Sequence, residues 1–288
     1  MTAAVGRATG ADPRLPDASA ILPLAAQENF TVASLLVGRK ARAHLTAIYG
    51  FARLVDQLGD EVEGDRMAIL ESFEQDLHRV FDGEPQHPLL QRLQPTVRAC
   101  PLPREPFLRL IEANRRDQRQ ATYDTFADLG DYCDLSANPV GELVLHVFGA
   151  ATADRIALSD RVCTALQLAE HWQDVGEDFA RGRIYLPAED RQRFAVGPAD
   201  LGASSASNAL RKLLAFETER ARRLLDEGAV LVGTLRGRAR IAVAGYVGGG
   251  RATLDAIERA GFDVLGSTPR ATRAQKARRS LETLRRGG

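Results

Sequence analysis

Apolar residues recur at every third or fourth position along most of the chain, which is the spacing of amphipathic helices. Residues 45–55 and 69–81 show this period clearly, and about ten such segments can be traced between residues 29 and 259. Alternating apolar and polar positions flanked by turn dipeptides, which mark half-buried strands, are nearly absent. The pattern therefore predicts an all-α protein.

Glycine and proline interrupt the helical pattern at residues 82–85, 101–103 and 182–187, where we predict helix ends. Residues 197–208 predict a surface loop, and the glycine run at residues 248–250 predicts a kink or a break in the last helical segment. Residues 1–20 have no apolar period and are expected to form a disordered arm. No linker separates two cores, so residues 21–266 are expected to form one large domain, followed by a basic tail at residues 267–288.

The composition of the 288 residues, 44% hydrophobic and 26% charged, is that of a globular protein and excludes a disordered chain. Its 38 basic and 38 acidic residues cancel, which argues against a globally basic nucleic-acid-binding protein. No apolar run approaches the roughly 18–20 residues of a membrane span, and the N-terminus lacks a signal-peptide core. The three cysteines form no metal-binding spacing, which suits a reducing compartment. A cytoplasmic location is therefore expected.

Two pairs of aspartates four residues apart are the main candidates for chemistry. Asp56 and Asp60 lie in HLTAIYGFARLVDQLGDE, and Asp174 and Asp178 lie in ALQLAEHWQDVGEDFARGRIYLP. A helix would place both carboxylates of each pair on one face. Such pairs usually mark a solvated surface, but like charges at this spacing are mildly destabilising, and both segments are apolar around most of their circumference, which indicates burial. Buried carboxylates need cations, and clustered aspartates suit Mg²⁺ together with substrate phosphates.

A Mg²⁺–diphosphate site predicts ionisation chemistry, because the metal neutralises the charge of the departing diphosphate. Arg53 and Arg183 flank the two pairs and could bind phosphate oxygens. The carbocation left behind needs an apolar cavity with aromatic faces. The aromatic candidates are Tyr49, Tyr132, Phe148, Trp172 and Tyr246. Each of these, taken alone, is more simply explained as an ordinary core residue.

These motifs resemble those of the squalene/phytoene synthase family of head-to-head isoprenoid synthases. YGFARLVDQLGD resembles the family's first aspartate motif, LQLAEHWQDVGEDFARGRIYLP resembles the second, and DYCDLSANPVGELVLHVFG resembles the helix between them. The resemblance covers residues 29–265 and implies an all-α isoprenoid synthase fold around one central cavity. It implies Mg²⁺ held by Asp56, Asp60, Asp174 and Asp178, with catalytic roles also for Arg53 and Tyr132. The substrate-binding positions that it implies are Asn29, Phe30, Tyr49, Ala137, Val140, Gly141, Gln167, Glu170, Arg183 and Tyr246.

Within the family, ENFTVASLL, SANPVGELVLHVFG and HWQDV look most like the bacterial hydroxysqualene synthase branch. That resemblance implies that presqualene diphosphate loses diphosphate and that water captures the rearranged cation to give hydroxysqualene, in hopanoid biosynthesis, with Mg²⁺ and without a nicotinamide cofactor. Two alternatives stay open. One is head-to-head condensation of two prenyl diphosphates to presqualene diphosphate, squalene or phytoene, and the other is a non-catalytic assembly protein on the same fold.

The chain departs from the family pattern at Glu170, where the family commonly has Asn, and at Gln57, where many members have a second Asp. The residue expected to position the capturing water is Tyr132, which corresponds to a cavity-lining position of relatives. His171 is the alternative, although a core or surface histidine explains it more simply.

The tail, RATRAQKARRSLETLRRGG, holds seven basic residues and one acidic residue. We expect a solvated, mobile terminus. The alternative is a short helix with one basic face that contacts anionic lipid at the inner face of the membrane. That face would consist of Arg270, Arg273, Lys276 and Arg278 or Arg279.

Overall fold

The computed structural model describes residues 37–287, so the predicted arm at residues 1–20 and the candidates Asn29 and Phe30 lie outside the described residues. Within residues 37–287 there are fourteen helices, ten of them with ten or more residues. The same range contains no strand, only one isolated bridge between Thr122 and Ile184. The all-α prediction is confirmed.

The helices follow one another through short connections. The first seven are α1 (Arg39–Asp60), α2 (Arg66–Asp82), α3 (Pro88–Ala99), α4 (Glu105–Asp117), α5 (Phe126–Ser136), α6 (Asn138–Val147) and α7 (Ala153–Gln173). The others are α8 (Val175–Ala180), α9 (Ala188–Arg193), α10 (Pro198–Leu201), α11 (Asn208–Ala229), α12 (Leu231–Thr234), α13 (Gly237–Arg259) and α14 (Arg273–Arg286). The three predicted interruptions fall between helices, and the predicted loop at residues 197–208 contains only the single turn of α10.

Two large apolar clusters form the core. One lies among α1 to α4, where Phe51 stacks on Phe73 with ring centroids 5.8 Å apart and meets Phe107 edge-on at 5.0 Å. The other surrounds the fully buried Trp172 and draws on α5, α7, α11 and α13. A small third cluster joins α1, α6 and α13 through residues such as Leu45 and Val144. The two halves of the molecule are therefore held side by side, with α1 in one and α7 in the other.

The glycine run at residues 248–250 does not break the last long helix, because α13 is continuous from Gly237 to Arg259. The prediction of a break there is wrong. A Cβ on Gly248 would lie 2.4 Å from the backbone nitrogen of Ser280, and a Cβ on Gly250 would lie 2.6 Å from Leu166 Cδ2. These glycines let neighbouring helices approach the backbone of α13 closely.

The basic tail forms α14, which begins at a capping box between Thr272 and Gln275 and packs along α13. Thr283 is fully buried there, and Arg279 forms an ion pair with Asp255 of α13. The expectation of a solvated, mobile terminus is therefore wrong for residues 273–286. Of the two alternatives for the expected basic face, Arg279 turns inward to Asp255 and Arg278 is exposed.

Candidate active site

The first aspartate pair occupies the last turns of α1, as predicted. Asp60 is the final residue of the helix, and its Oδ1 accepts a hydrogen bond of 2.6 Å from Arg183 Nη2. Asp56 Oδ1 lies 3.4 Å from its donor, Asn114 Nδ2 of α4. One turn earlier, Arg53 Nη2 lies 3.5 Å from a carboxylate oxygen of Glu61. The end of α1 thus carries two carboxylates that side chains from other elements already contact.

The second pair lies on either side of a helix break. Helix α7 ends at Gln173, Asp174 caps it, and α8 begins at Val175, so the continuous helix predicted through both aspartates is wrong. The backbone N–H of Asp178 still donates to the Asp174 carbonyl at 2.8 Å, which preserves one helical turn. Asp178 Oδ2 lies 3.9 Å from Nδ1 of the buried His171.

The segment after α8 connects the two pairs. Ile184 N–H donates to the carbonyl of Ala121 at 2.8 Å, which fixes this segment against the connection between α4 and α5. Arg183 then reaches Asp60, and the ring of Tyr185 stacks on His171 with centroids 3.7 Å apart. Because His171 lies beside Asp178, one carboxylate of each pair borders the same short segment.

Carboxylates stand at the carboxyl ends of three helices. Asp60 ends α1, Asp117 ends α4 and Asp174 caps α7. The carboxyl end of a helix carries a partial negative charge, so a carboxylate is destabilised there and a cation is favoured. Burial raises the pKa of Asp174 to about 6, with Glu177 and Asp178 adding to the effect. This placement opposes folding and favours the binding of a positively charged group.

Three tyrosines pack together beside the carboxylates. The ring centroid of Tyr132 lies 5.4 Å from that of Tyr123 and 5.6 Å from that of Tyr185. The Tyr132 hydroxyl donates to Asp117 Oδ2 at 2.8 Å. Aromatic faces of this kind stabilise positive charge, so the cluster suits a cationic carbon centre.

Sequence reasoning missed Asp117 and Tyr185 in this region, and it assigned Arg270 and Lys276 to a possible lipid-contacting face instead. Asp117 has no acidic partner four residues away, and its only sequence signal is its position at the end of an amphipathic segment. Arg270 lies close enough to Asp174 to lower its pKa, and Lys276 interacts with Glu170. The start of the basic tail therefore lies over the second carboxylate pair.

The remaining predicted binding residues are spread around this region. Gln167 Nε2 lies 3.2 Å from His171 Nε2, and Glu170 is exposed at the end of α7.

Ala137 lies between α5 and α6, and Val140 is half-buried against the cluster of α1 to α4. Gly141 packs against Ser159 and Cys163 of α7. Tyr49 is buried on α1 and Tyr246 half-buried on α13. Their substrate contacts stay predictions.

The donor set fits Mg²⁺. Among residues 37–287, no group of three or more His, Cys, Asp or Glu side chains stands ready to hold a metal ion. Mg²⁺ is usually bound by one or two carboxylates together with waters and substrate phosphates, so two separate aspartate pairs satisfy its requirement without such a cage. No helix in the described part of the chain is long and apolar enough to cross a membrane.

Comparison with known proteins finds relatives in one enzyme family. A sequence model of the squalene/phytoene synthase family matches residues 25–280. The hydroxysqualene synthase of Zymomonas mobilis is 35% identical over 212 residues, which cover 70% of this chain and 69% of the relative. The 15-cis-phytoene synthase of Synechococcus elongatus is 32% identical over 251 residues, which cover 82% of each protein.

Solved structures agree with the fold. The crystal structure of the squalene synthase HpnC from Alicyclobacillus acidocaldarius superposes with a TM-score of 0.79 at 48% identity and covers 85% of this chain and 94% of that one. A dehydrosqualene synthase superposes with a TM-score of 0.84 at 24% identity, covering 93% of this chain and 95% of that one. The molecule therefore has the isoprenoid synthase fold.

Proposed function

Because the chain belongs to the squalene/phytoene synthase family, we propose that it converts presqualene diphosphate and water to hydroxysqualene and diphosphate. The family acts on prenyl diphosphates and uses a divalent metal to bind diphosphate. The finer assignment rests on the chain's own site and on its degree of identity to individual relatives.

The observation that carries the proposal is that one aspartate of each pair, Asp60 and Asp178, contacts the segment containing Arg183 and Tyr185. At Arg183 the segment offers a guanidinium that reaches Asp60, beside carboxylates for a metal–diphosphate group. At Tyr185 it offers an aromatic ring packed with those of Tyr132 and His171. Such a division suits a substrate with a charged head and a hydrocarbon body that becomes cationic.

The residues divide the reaction between them. Asp56, Asp60, Asp174 and Asp178 would hold Mg²⁺, which when bound neutralises diphosphate and makes it a better leaving group. Arg183 and Arg53 would donate to phosphate oxygens. The carbon–oxygen bond breaks with its electron pair going to diphosphate, and the tyrosine faces stabilise the cyclopropylcarbinyl cation while it rearranges. Water then forms the new carbon–oxygen bond and loses a proton to the released diphosphate.

The choice of branch is supported by the 35% identity to the hydroxysqualene synthase of Zymomonas mobilis, against 32% to the cyanobacterial phytoene synthase. The rival is condensation of two prenyl diphosphates, which the phytoene synthase relatives support through their longer coverage of the chain. The two reactions differ in the substrate that each consumes, so substrate feeding separates them.

We expect purified protein with Mg²⁺ and without NADPH to convert presqualene diphosphate to hydroxysqualene, because water replaces the hydride that reductive relatives would need. Mass spectrometry after incubation in water labelled with heavy oxygen should find the label in the hydroxyl group. Farnesyl diphosphate and geranylgeranyl diphosphate, each supplied alone, serve as the comparison substrates. If the protein converts either of these but not presqualene diphosphate, condensation replaces the proposed reaction. If it converts none of the three substrates, a non-catalytic assembly protein is favoured.

We also propose that the outer face of α14 contacts anionic lipid, where substrate and product reside. Arg273, Arg278 and Arg285 are exposed on this face together with Leu281, which is 48% exposed and is one of two large exposed hydrophobic residues in the described range. A basic helix face with an apolar residue at its centre binds membrane surfaces through charge and burial together.

The membrane proposal predicts that replacing Arg278 and Arg285 by Glu weakens binding to phosphatidylglycerol vesicles by about 30-fold, from about 1 kcal/mol per basic residue. Co-sedimentation with vesicles measures the affinity. The matched control replaces the exposed residues Arg92 and Arg98 of α3 by Glu, with the same change in net charge. Equal loss of binding in both variants would mean that net charge, and not this face, drives the contact.

A further inference from the structure

Asp117 is a carboxylate beside the site that the proposed reaction does not yet use. The end of its helix is fixed to the end of α1, since Gln118 Nε2 donates to the Gly59 carbonyl at 2.9 Å and Asn114 contacts Asp56. Asp117 Oδ2 accepts the hydrogen bond from Tyr132, while Oδ1 is shielded from solvent and accepts no hydrogen bond from the described residues. No local structural need, such as a helix cap, accounts for this carboxylate.

The direction of the hydrogen bond determines what Tyr132 can do. A phenol has one proton to donate, and here that proton points to Asp117. The oxygen of Tyr132 keeps two lone pairs; the hydroxyl of Tyr185, which is hydrogen-bonded to Tyr132, takes one of them, and the other is left for a further partner. The Tyr132 oxygen can accept a hydrogen bond from water or face a cationic carbon, but it cannot donate to a diphosphate oxygen. Burial raises the pKa of Asp117 to about 6, so the carboxylate is mainly ionised and a strong acceptor above that pH.

Resting on the proposed function, we propose that Asp117 is a positioning residue that holds Tyr132 as a hydrogen-bond acceptor, so that Tyr132 orients the capturing water instead of binding diphosphate. Asp117 acts only through Tyr132 and touches neither the substrate nor the metal. The hydroxyl of Tyr132 is held from one side by Asp117 and its ring is held by Tyr123 and Tyr185, so its oxygen has a fixed position.

The test is a double-mutant cycle of Asp117→Asn and Tyr132→Phe. An asparagine amide can donate to Tyr132, which frees the phenol proton to turn toward other partners. Each single variant should lower kcat by about 10–100-fold with less than about threefold change in KM, and each should raise the share of products that lack the hydroxyl group. The double variant should have a kcat less than about twofold below that of Tyr132→Phe alone. The reason is that Tyr132→Phe already removes the hydroxyl group through which Asp117 acts.

The matched control is Asp131→Asn, an exposed acid next to Tyr132 in sequence, which should leave kcat and product ratio unchanged. Multiplicative losses in the double variant, or a change mainly in KM, would overturn the proposal. If Asp117→Asn does not fold, Tyr132→Phe still decides, since an unchanged product ratio in that variant overturns the proposal by itself. If the wild type consumes a different prenyl diphosphate, the proposed reaction is wrong. The double-mutant cycle can then be measured as kcat on that substrate, and it still tests whether Asp117 acts through Tyr132.

Discussion

Asp174→Asn should lower Mg²⁺-dependent turnover by on the order of 10³-fold while leaving the protein at least as stable as the wild type. The loss of activity follows because one carboxylate of the second pair no longer offers an anionic ligand. The retained stability follows from the site itself, where Asp174 is half-buried at the carboxyl end of α7 with Glu177 and Asp178 close by.

The sign of the stability effect depends on pH. Folding raises the pKa of the Asp174 carboxyl from its ordinary value of 3.8 to about 6. The folded state therefore holds the proton more tightly than the unfolded state, and wild-type stability falls as the pH rises between these two values. The advantage of Asp174→Asn should thus be absent below about pH 4 and complete above about pH 6.

Thermal unfolding at several pH values and turnover at increasing Mg²⁺ concentration measure the two effects. Glu177→Gln is the matched control, because it removes an exposed carboxylate from the same segment and should change turnover by less than about twofold. Mg²⁺ with diphosphate should raise the melting temperature of the wild type but not of Asp174→Asn. A variant with normal turnover, or equal losses in Asp174→Asn and its control, would show that this carboxylate does not hold the metal.

Gly248→Ala should destabilise the protein by about 3 kcal/mol, whereas Gly249→Ala should stabilise it by about 0.5–1 kcal/mol. The two glycines are adjacent in α13 and differ in what surrounds them. A Cβ on Gly248 would lie 2.4 and 2.5 Å from backbone atoms of Ser280, so α14 would have to move, while a Cβ on Gly249 meets nothing within 4 Å. At Gly249 only the higher helix propensity of alanine remains.

Urea unfolding of the two variants measures these free energies, and each serves as the control for the other. Because α14 follows directly on the segment that holds Arg270 near Asp174, Gly248→Ala should also lower turnover while Gly249→Ala leaves it unchanged. Changes of the same sign in both variants would mean that helix propensity, and not the contact with Ser280, determines stability at this run.

The sequence by itself determined the helices and the candidate metal ligands. A period of three to four and the positions of Gly and Pro are local features, so the all-α class and the three predicted interruptions could be read without a structure. The two aspartate pairs could also be found, because a spacing of four residues is a local signal whatever surrounds it.

Only the tertiary structure decided which further groups meet those pairs. Arg183 reaches Asp60 across 123 positions of sequence, and Asp117 meets Tyr132 only because α4 and α5 pack together. The glycine run was misread for the same reason: glycine weakens an isolated helix, but here Gly248 gives α14 room to approach. Periodicity and spacing report what a segment does alone, whereas hydrogen bonds and close approaches between distant segments exist only after the chain has folded.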